Sequence, residues 1–293
     1  MKVGIQVPNF TWPGGPERIG NRLAEIARAA DQGGFASLWV MDHLFQIRGV
    51  GPVENEMLEC YATLSYLAGL TKVVKLGAMV TAAVYRHPGV LIKSVTTLDV
   101  LSGGRAYLGI GAAWNEQEAR GLGIPFPPLK ERFERLEEIL QIARLMWSDD
   151  QEPFQGKYYQ LERSLNHPQP LSKPYPPVLI GGMGERKTLR LVAQYADACN
   201  LFARAGVETL KAKLEILKKH CEKVGRDCNE IEKTSLVSVH LAPGKTSVSE
   251  VIEQCRSLAD IGIQHVIFNM PNDFEIKPLE IIGREIIPVV ENF

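Results

Sequence analysis

Residues 97–118, TLDVLSGGRAYLGIGAAWNEQE, decide the reading of this chain. Leu91, Val95 and Leu98 recur at helical spacing, so an apolar helix face runs into the segment. Gly103 and Gly104 end that helix, because glycine enters the left-handed conformation of a C-terminal cap without steric cost. Tyr107, Leu108 and Ile110 predict a short buried strand, and Gly109 and Gly111 leave its end without bulk. Such a bare strand end invites close approach by a flat ligand. In parallel α/β enzymes this is the end where cofactors are held.

The pattern repeats along the chain. Apolar runs fall at 3–7, 37–41, 74–80, 106–110, 178–180, 198–202, 236–241 and 265–268. Most are nearly continuous in Val, Ile, Leu and Ala, as strands buried on both faces of a parallel sheet are. Helical patterns separate them: Ile19, Leu23 and Ile26 make one face, Leu210, Leu214, Leu217 and Cys221 another, and Val251, Cys255 and Leu258 a third. Eight alternations predict an α/β fold, a closed (β/α)8 TIM barrel, with an open doubly wound sheet as the competing architecture. Between the fourth and fifth strands the rhythm breaks, leaving room for a helix over 131–147 and an insertion over about 148–177. The insertion holds DDQEPFQGKYYQL and the proline-rich NHPQPLSKPYPP, so it reads as loop with a hairpin. It is expected to lie over the barrel mouth as a lid, within a single domain spanning 1–293.

Composition excludes several classes of function. Basic and acidic residues number 33 and 34 in 293, with no basic stripe, which argues against a nucleic-acid partner. No apolar run reaches the length of a membrane span, and the N-terminal MKVGIQVPNF enters directly into a strand pattern, so a cytoplasmic protein is expected. The five cysteines are odd in number and contain no C-x-x-C, implying neither a disulfide framework nor a metal site.

Two stretches carry candidate chemistry. Asp42 and His43 follow the run SLWVM and fall at the C-terminal end of the second strand, where barrel enzymes place reactive groups. An imidazole there exchanges a proton near neutral pH, whereas the plainer alternative makes Asp42 a cap and His43 a structural hydrogen-bonder. Gly181, Gly182, Met183 and Gly184 follow the fifth strand and lead into a helix expected over 185–195. Glycines at a strand-to-helix turn expose N–H groups to a phosphate, although taken alone a purely steric turn is the simpler explanation. Glu185 suits the helix dipole but would repel a phosphate if turned inward, which Arg186 could offset. The run from Gly109 to Trp114 lacks the third glycine of a dinucleotide fingerprint, and neither H-E-x-x-H nor G-x-S-x-G occurs.

Four blocks, GFASLWVMDH, YRHPGVLIKSVTTLDVLSGGRAYLGIGAAWNEQE, FQGKYYQL and PYPPVLIGGMGERKTLRLVAQYADACN, resemble the luciferase-like monooxygenase superfamily in order and spacing. Within it they resemble the branch that uses the deazaflavin coenzyme F420. The resemblance implies a (β/α)8 barrel with a flat ring at its mouth. Asp42 and His43 would border the ring, His43 matching a histidine implicated in catalysis in some relatives. Ala78 and Met79 match a bulge on the third strand that often carries a non-proline cis peptide, with Thr81 following. Gly111, Ala112 and Ala113 match the loop near the ring and its ribityl chain, and Gly181 to Glu185 match the turn that binds the cofactor phosphate. Some relatives carry a glutamate acid after the fourth strand; here Trp114 stands at that position and Glu116 follows two residues later.

The expected activity is hydride transfer between the deazaflavin and a small organic substrate, with His43 as proton partner and Asp42 orienting it or touching the cofactor. The rivals are a monooxygenase using FMN, a cofactor-binding protein of the same fold without turnover, and a phosphate-handling isomerase or lyase. The resemblance also implies a homodimer.

Overall fold

All eight apolar runs become parallel strands of one closed sheet. A computed structural model describes residues 1–148 and 150–293, so Asp149, inside the expected insertion, lies outside the described residues. The strands are β1 (Lys2–Val7), β2 (Ser37–Val40), β3 (Lys75–Ala78), β4 (Ala106–Gly111), β5 (Val178–Gly181), β6 (Ala198–Phe202), β7 (Glu232–Ser238) and β8 (His265–Asn269). Each pairs with the next, and β1 closes on β8 with Val3 opposite Val266 and Ile5 opposite Phe268. The competing open sheet is thereby ruled out.

Between strands run α1 (Pro16–Gln32), α2 (Cys60–Leu70), α3 (Pro88–Ser102), α4 (Glu116–Gly121), α5 (Leu129–Ser148), α6 (Thr188–Tyr195), α7 (Val207–Val224) and α8 (Val248–Ala259). Their apolar faces bury as the spacing predicts: Ile19, Leu23 and Ile26 on α1, and Val251, Cys255 and Leu258 on α8. On α7, Leu210, Leu217 and Cys221 are buried while Leu214 is only half-buried. The glycine stop on α3 forms as expected: Gly103 sits at φ 72°, and Gly104 N–H bonds the Asp99 carbonyl at 2.8 Å.

Two expectations of strand bounds need correction. β7 spans Glu232–Ser238 rather than 236–241, because its first half is polar (Glu232, Lys233, Thr234, Ser235) and carries no hydrophobic signal. β3 stops at Ala78, and the chain bends before Thr81 and Ala82 pair again with β4. The segment expected as a lid makes a small hairpin, Phe154–Gln155 with Gln160–Leu161. Buried Glu138 of α5 accepts the N–H groups of Lys157 at 2.8 Å and of Tyr158 and Tyr159 at 3.0 Å. Further on, Asn166 bonds Thr96 Oγ1 at 3.1 Å, and Ser172 N–H and Oγ–H bond the buried Asp99 carboxylate at 2.8 and 2.6 Å. Those partners belong to α3, so at these points the segment lies along the barrel's flank.

Side chains pointing into the barrel form their own cluster, Trp39, Met79, Leu179, Ala198 and Ile267, separate from the larger core between sheet and helices. Trp39 needs neighbours without side chains. A Cβ on Gly77 would come within 2.5 Å of the indole, and one on Gly109 within 1.9 Å of the Ala78 carbonyl oxygen. The glycines of β4 thus make room for protein. Gly109→Ala is expected to destabilise the barrel by about 3 kcal/mol, because backbone rather than a flexible side chain occupies the space; chemical denaturation with an unchanged m-value would report it.

Candidate functional site

Above the interior cluster, the strand ends build a shallow apolar floor. The Met79–Val80 peptide bond is cis, as the resemblance implied. The Val80 side chain fills the space that Gly111 and Gly181 leave: added Cβ atoms there would sit 3.0 Å and 2.9 Å from its methyl carbons. Gly111 therefore faces Val80, and what the rim offers a ligand is the Val80 surface rather than bare glycine. A polar chain ties the mouth together, with Asn269 Nδ2 donating to Gln6 Oε1 at 2.7 Å and Gln6 Nε2 donating to the Met79 carbonyl at 3.3 Å.

Asp42 and His43 are adjacent in sequence but serve separate networks. Asp42 is buried and takes both guanidinium nitrogens of Arg86, Nη1 at 2.7 Å and Nη2 at 2.9 Å, together with the Ala82 N–H at 3.2 Å. Arg86 also bonds Glu59 and lies 4.9 Å from the Tyr61 ring centroid. Asp42 does not orient His43; that expectation is corrected. His43 Nδ1 instead lies 2.6 Å from Glu118 Oε1. Glu118, on α4 and fully buried, also accepts Tyr85 O–H at 2.5 Å and the N–H groups of Leu44 and Phe45 at 2.6 and 3.1 Å. Burial pushes its carboxyl up, but the hydrogen bonds from His43, Tyr85 and Leu44 outweigh this and hold it below the ordinary carboxylate range. Trp114 stands edge-on to the imidazole at 5.4 Å between centroids and is mostly exposed, forming part of the rim.

The other expected residues divide by access. Ala78 and Thr81 are fully buried; Ala78 packs in the outer core, and Thr81 Oγ1 lies 2.7 Å from Tyr61 Oη, so neither side chain faces the mouth. Ala112 and Ala113 are half-buried beyond β4, with Ala113 at φ 65°. Gly181, Gly182 and Met183 are also half-buried, and Gly182 sits at φ 119°, where only glycine is at ease. Gly184 and Glu185 are exposed. α6 starts at Thr188, three residues later than the sequence suggests, with Leu189 N–H bonding Gly184 O at 3.0 Å. Glu185 is therefore outside the helix, and its carboxylate pairs with Lys213 of α7. In the first turn the Leu191 N–H is also taken, by the Lys187 carbonyl at 3.0 Å, and the hydroxyl of Thr188 stands beside Gly184, where an added Cβ would come within 2.9 Å of its Oγ1.

Sequence reasoning missed Arg86, Tyr85, Glu118 and Thr188. Tyr85 and Arg86 lie in YRHPG and Glu118 ends the stretch 97–118, where nothing in the local pattern marks them. Their roles depend on which loops meet across the rim, which one-dimensional spacing does not carry. A further buried acid, Asp273, follows β8 and accepts Trp12 Nε1–H at 3.1 Å. Its Oδ2 has no protein partner among the described residues. Burial raises its carboxyl to about 7, with the Trp12 hydrogen bond pulling the other way. Among the described residues, no group of three or more His, Cys, Asp or Glu could hold a metal, and no helix is long and apolar enough to cross a membrane.

Residues 1–273 match the family model described as luciferase-like monooxygenase, and the chain belongs to that family. It is similar to a protein named F420-dependent glucose-6-phosphate dehydrogenase from Nakamurella multipartita, 26% identical across 95% of both chains. A protein of the same name from Kineococcus radiotolerans is 28% identical over 84% of this chain and 77% of its own. Among solved structures, the coenzyme F420 dependent tetrahydromethanopterin reductase of Methanopyrus kandleri superimposes with a TM-score of 0.81 at 17% identity, covering 98% of each chain. At that identity the likeness shows the fold.

The Asp273 carboxyl gives a pH test. Its folded-state pKa exceeds the unfolded value, so the native state binds the extra proton between about pH 4 and 7 and loses that stability as pH rises through the window. Asp273→Asn should remove this slope. The melting temperature of the variant relative to wild type is expected to climb by a few degrees from pH 5 to pH 8, and a constant difference would contradict the buried-acid reading.

Proposed function

We propose that this protein is an oxidoreductase using coenzyme F420, which transfers a hydride to or from a small organic substrate at the barrel mouth. The observation that carries the reading is the pairing of two features on one rim. Val80 offers an apolar floor between two strand ends without side chains, and β5 leads through the turn at Met183 and Gly184 to a helix start that carries the Thr188 hydroxyl. These residues fit a planar ring with an anionic tail: apolar contact beneath the ring, amide and hydroxyl donors at the phosphate. Glu185 does not oppose the tail, since Lys213 neutralises its carboxylate. The relatives named F420-dependent glucose-6-phosphate dehydrogenase support the choice of cofactor.

Bound there, a deazaflavin supplies two-electron hydride chemistry. The chain's own residues do the rest. Met79 and Val80 support the ring, with Ala112 and Ala113 beside it. Met183 and Gly184 offer backbone N–H groups, and Thr188 its hydroxyl, to the phosphate, while Gly182, whose N–H is taken by the Asn200 carbonyl at 3.1 Å, shapes the turn. His43 exchanges a proton with the substrate through Nε2, the ring nitrogen opposite the one held by Glu118. Asp42 acts through Arg86, fixing the loop that follows Ala82. FMN shares the ring and tail, so a titration with both cofactors is decisive. F420 is expected to bind more tightly, and binding of FMN alone would overturn the choice. Thr188→Val should weaken F420 by roughly tenfold, the cost of one hydrogen bond to a charged group. His43→Ala should leave F420 affinity intact while lowering kcat by about 10²-fold or more on a substrate found by redox screening. Unchanged turnover would remove His43 from the mechanism.

A further inference from the structure

We infer that Glu118 is a positioning residue that fixes the tautomer of His43, keeping the proton on Nδ1 so that Nε2 faces the mouth as a proton acceptor. Donors and acceptors around the carboxylate fix the proton. Glu118 is buried and receives four groups: Tyr85 O–H and His43 Nδ1 at Oε1, and the Leu44 and Phe45 N–H groups at Oε2. The two backbone amides can only donate. A carboxylate ringed in this way has nothing but lone pairs to offer, so the 2.6 Å contact with His43 requires a hydrogen on Nδ1. In the neutral ring Nε2 then carries the lone pair. It has no protein partner among the described residues, and the imidazole remains partly open to solvent. Trp114 closes one side of the ring edge-on.

The same geometry predicts what one atom's change would do. In Glu118→Gln the side-chain oxygen must stay with the fixed donors Leu44 and Phe45, as turning the NH2 toward them would set donor against donor. The amide NH2 then points at Tyr85 and His43, and Nδ1 can meet it only as an acceptor. The proton is driven to Nε2, and the nitrogen facing the mouth changes from acceptor to donor. The size and burial of residue 118 hardly change.

Nitrogen-15 NMR of the imidazole in the full chain without added cofactor reads the tautomer directly, at a pH where His43 is neutral and with His43→Gln to assign the signals. The wild type is expected to carry its proton on Nδ1, Glu118→Gln on Nε2, and Tyr85→Phe on Nδ1 as in the wild type. A wild-type proton on Nε2, or a Glu118→Gln spectrum matching the wild type, overturns the assignment. If Glu118→Gln fails to fold, the wild-type and Tyr85→Phe spectra still decide it. The kinetic consequence rests on the proposed function: Glu118→Gln should lower kcat by about 10²-fold with little change in KM. Should His43→Ala prove fully active while the spectra come out as expected, the proposed mechanism fails and the positioning by Glu118 stands.

Discussion

The rim depends on a steric constraint at the top of the barrel. β3 and β4 approach so closely that the Ala78 carbonyl occupies the place of a side chain on Gly109, and Val80 then turns inward over Gly111 and Gly181. Side chains at those positions would push Val80 off the axis and remove the apolar floor. The interior beneath is filled by Trp39 and Met79, so the floor rests on close-packed protein. The region above it is bounded by loops from different strands, His43 after β2, Trp114 after β4 and Gly182 after β5.

Two buried carboxylates divide the work on one side of that rim. Asp42 is matched to a guanidinium in a bidentate pair and buried with it, an arrangement that holds a loop in place. Glu118 is matched to neutral donors and one imidazole, an arrangement that sets the state of a titratable ring. Adjacency in sequence suggested that Asp42 would serve His43. Successive residues leaving a strand diverge, and the partner of His43 came from α4 instead.

The barrel was legible because each strand is a dense apolar run buried on both faces, and because Gly103 and Gly104 mark a helix end without ambiguity. β7 begins ahead of its apolar run because polar residues open it, and α6 begins behind its apparent start because Glu185 to Lys187 form a turn with helical composition but no helix. Asp42, His43 and the glycine turn after β5 were legible from position at strand ends. Glu118 and Tyr85 were not, since each acquires its role from a neighbour distant in the chain, and Thr188 was not because the helix it opens begins three residues later than the composition suggests. The glycines of β4 misled in an instructive way: absence of a side chain marks close approach, and here what approaches is the neighbouring strand and Val80.

In the proposed complex a planar anionic cofactor sits on the Val80 floor with its phosphate at the turn before α6. Amide hydrogen exchange with and without coenzyme F420 tests it most directly. Protection is expected in peptides covering 79–82, 111–115 and 181–189, with none around 221–233 at the opposite end of the barrel. Binding that protects only that far end, or that leaves 181–189 unchanged, would contradict it.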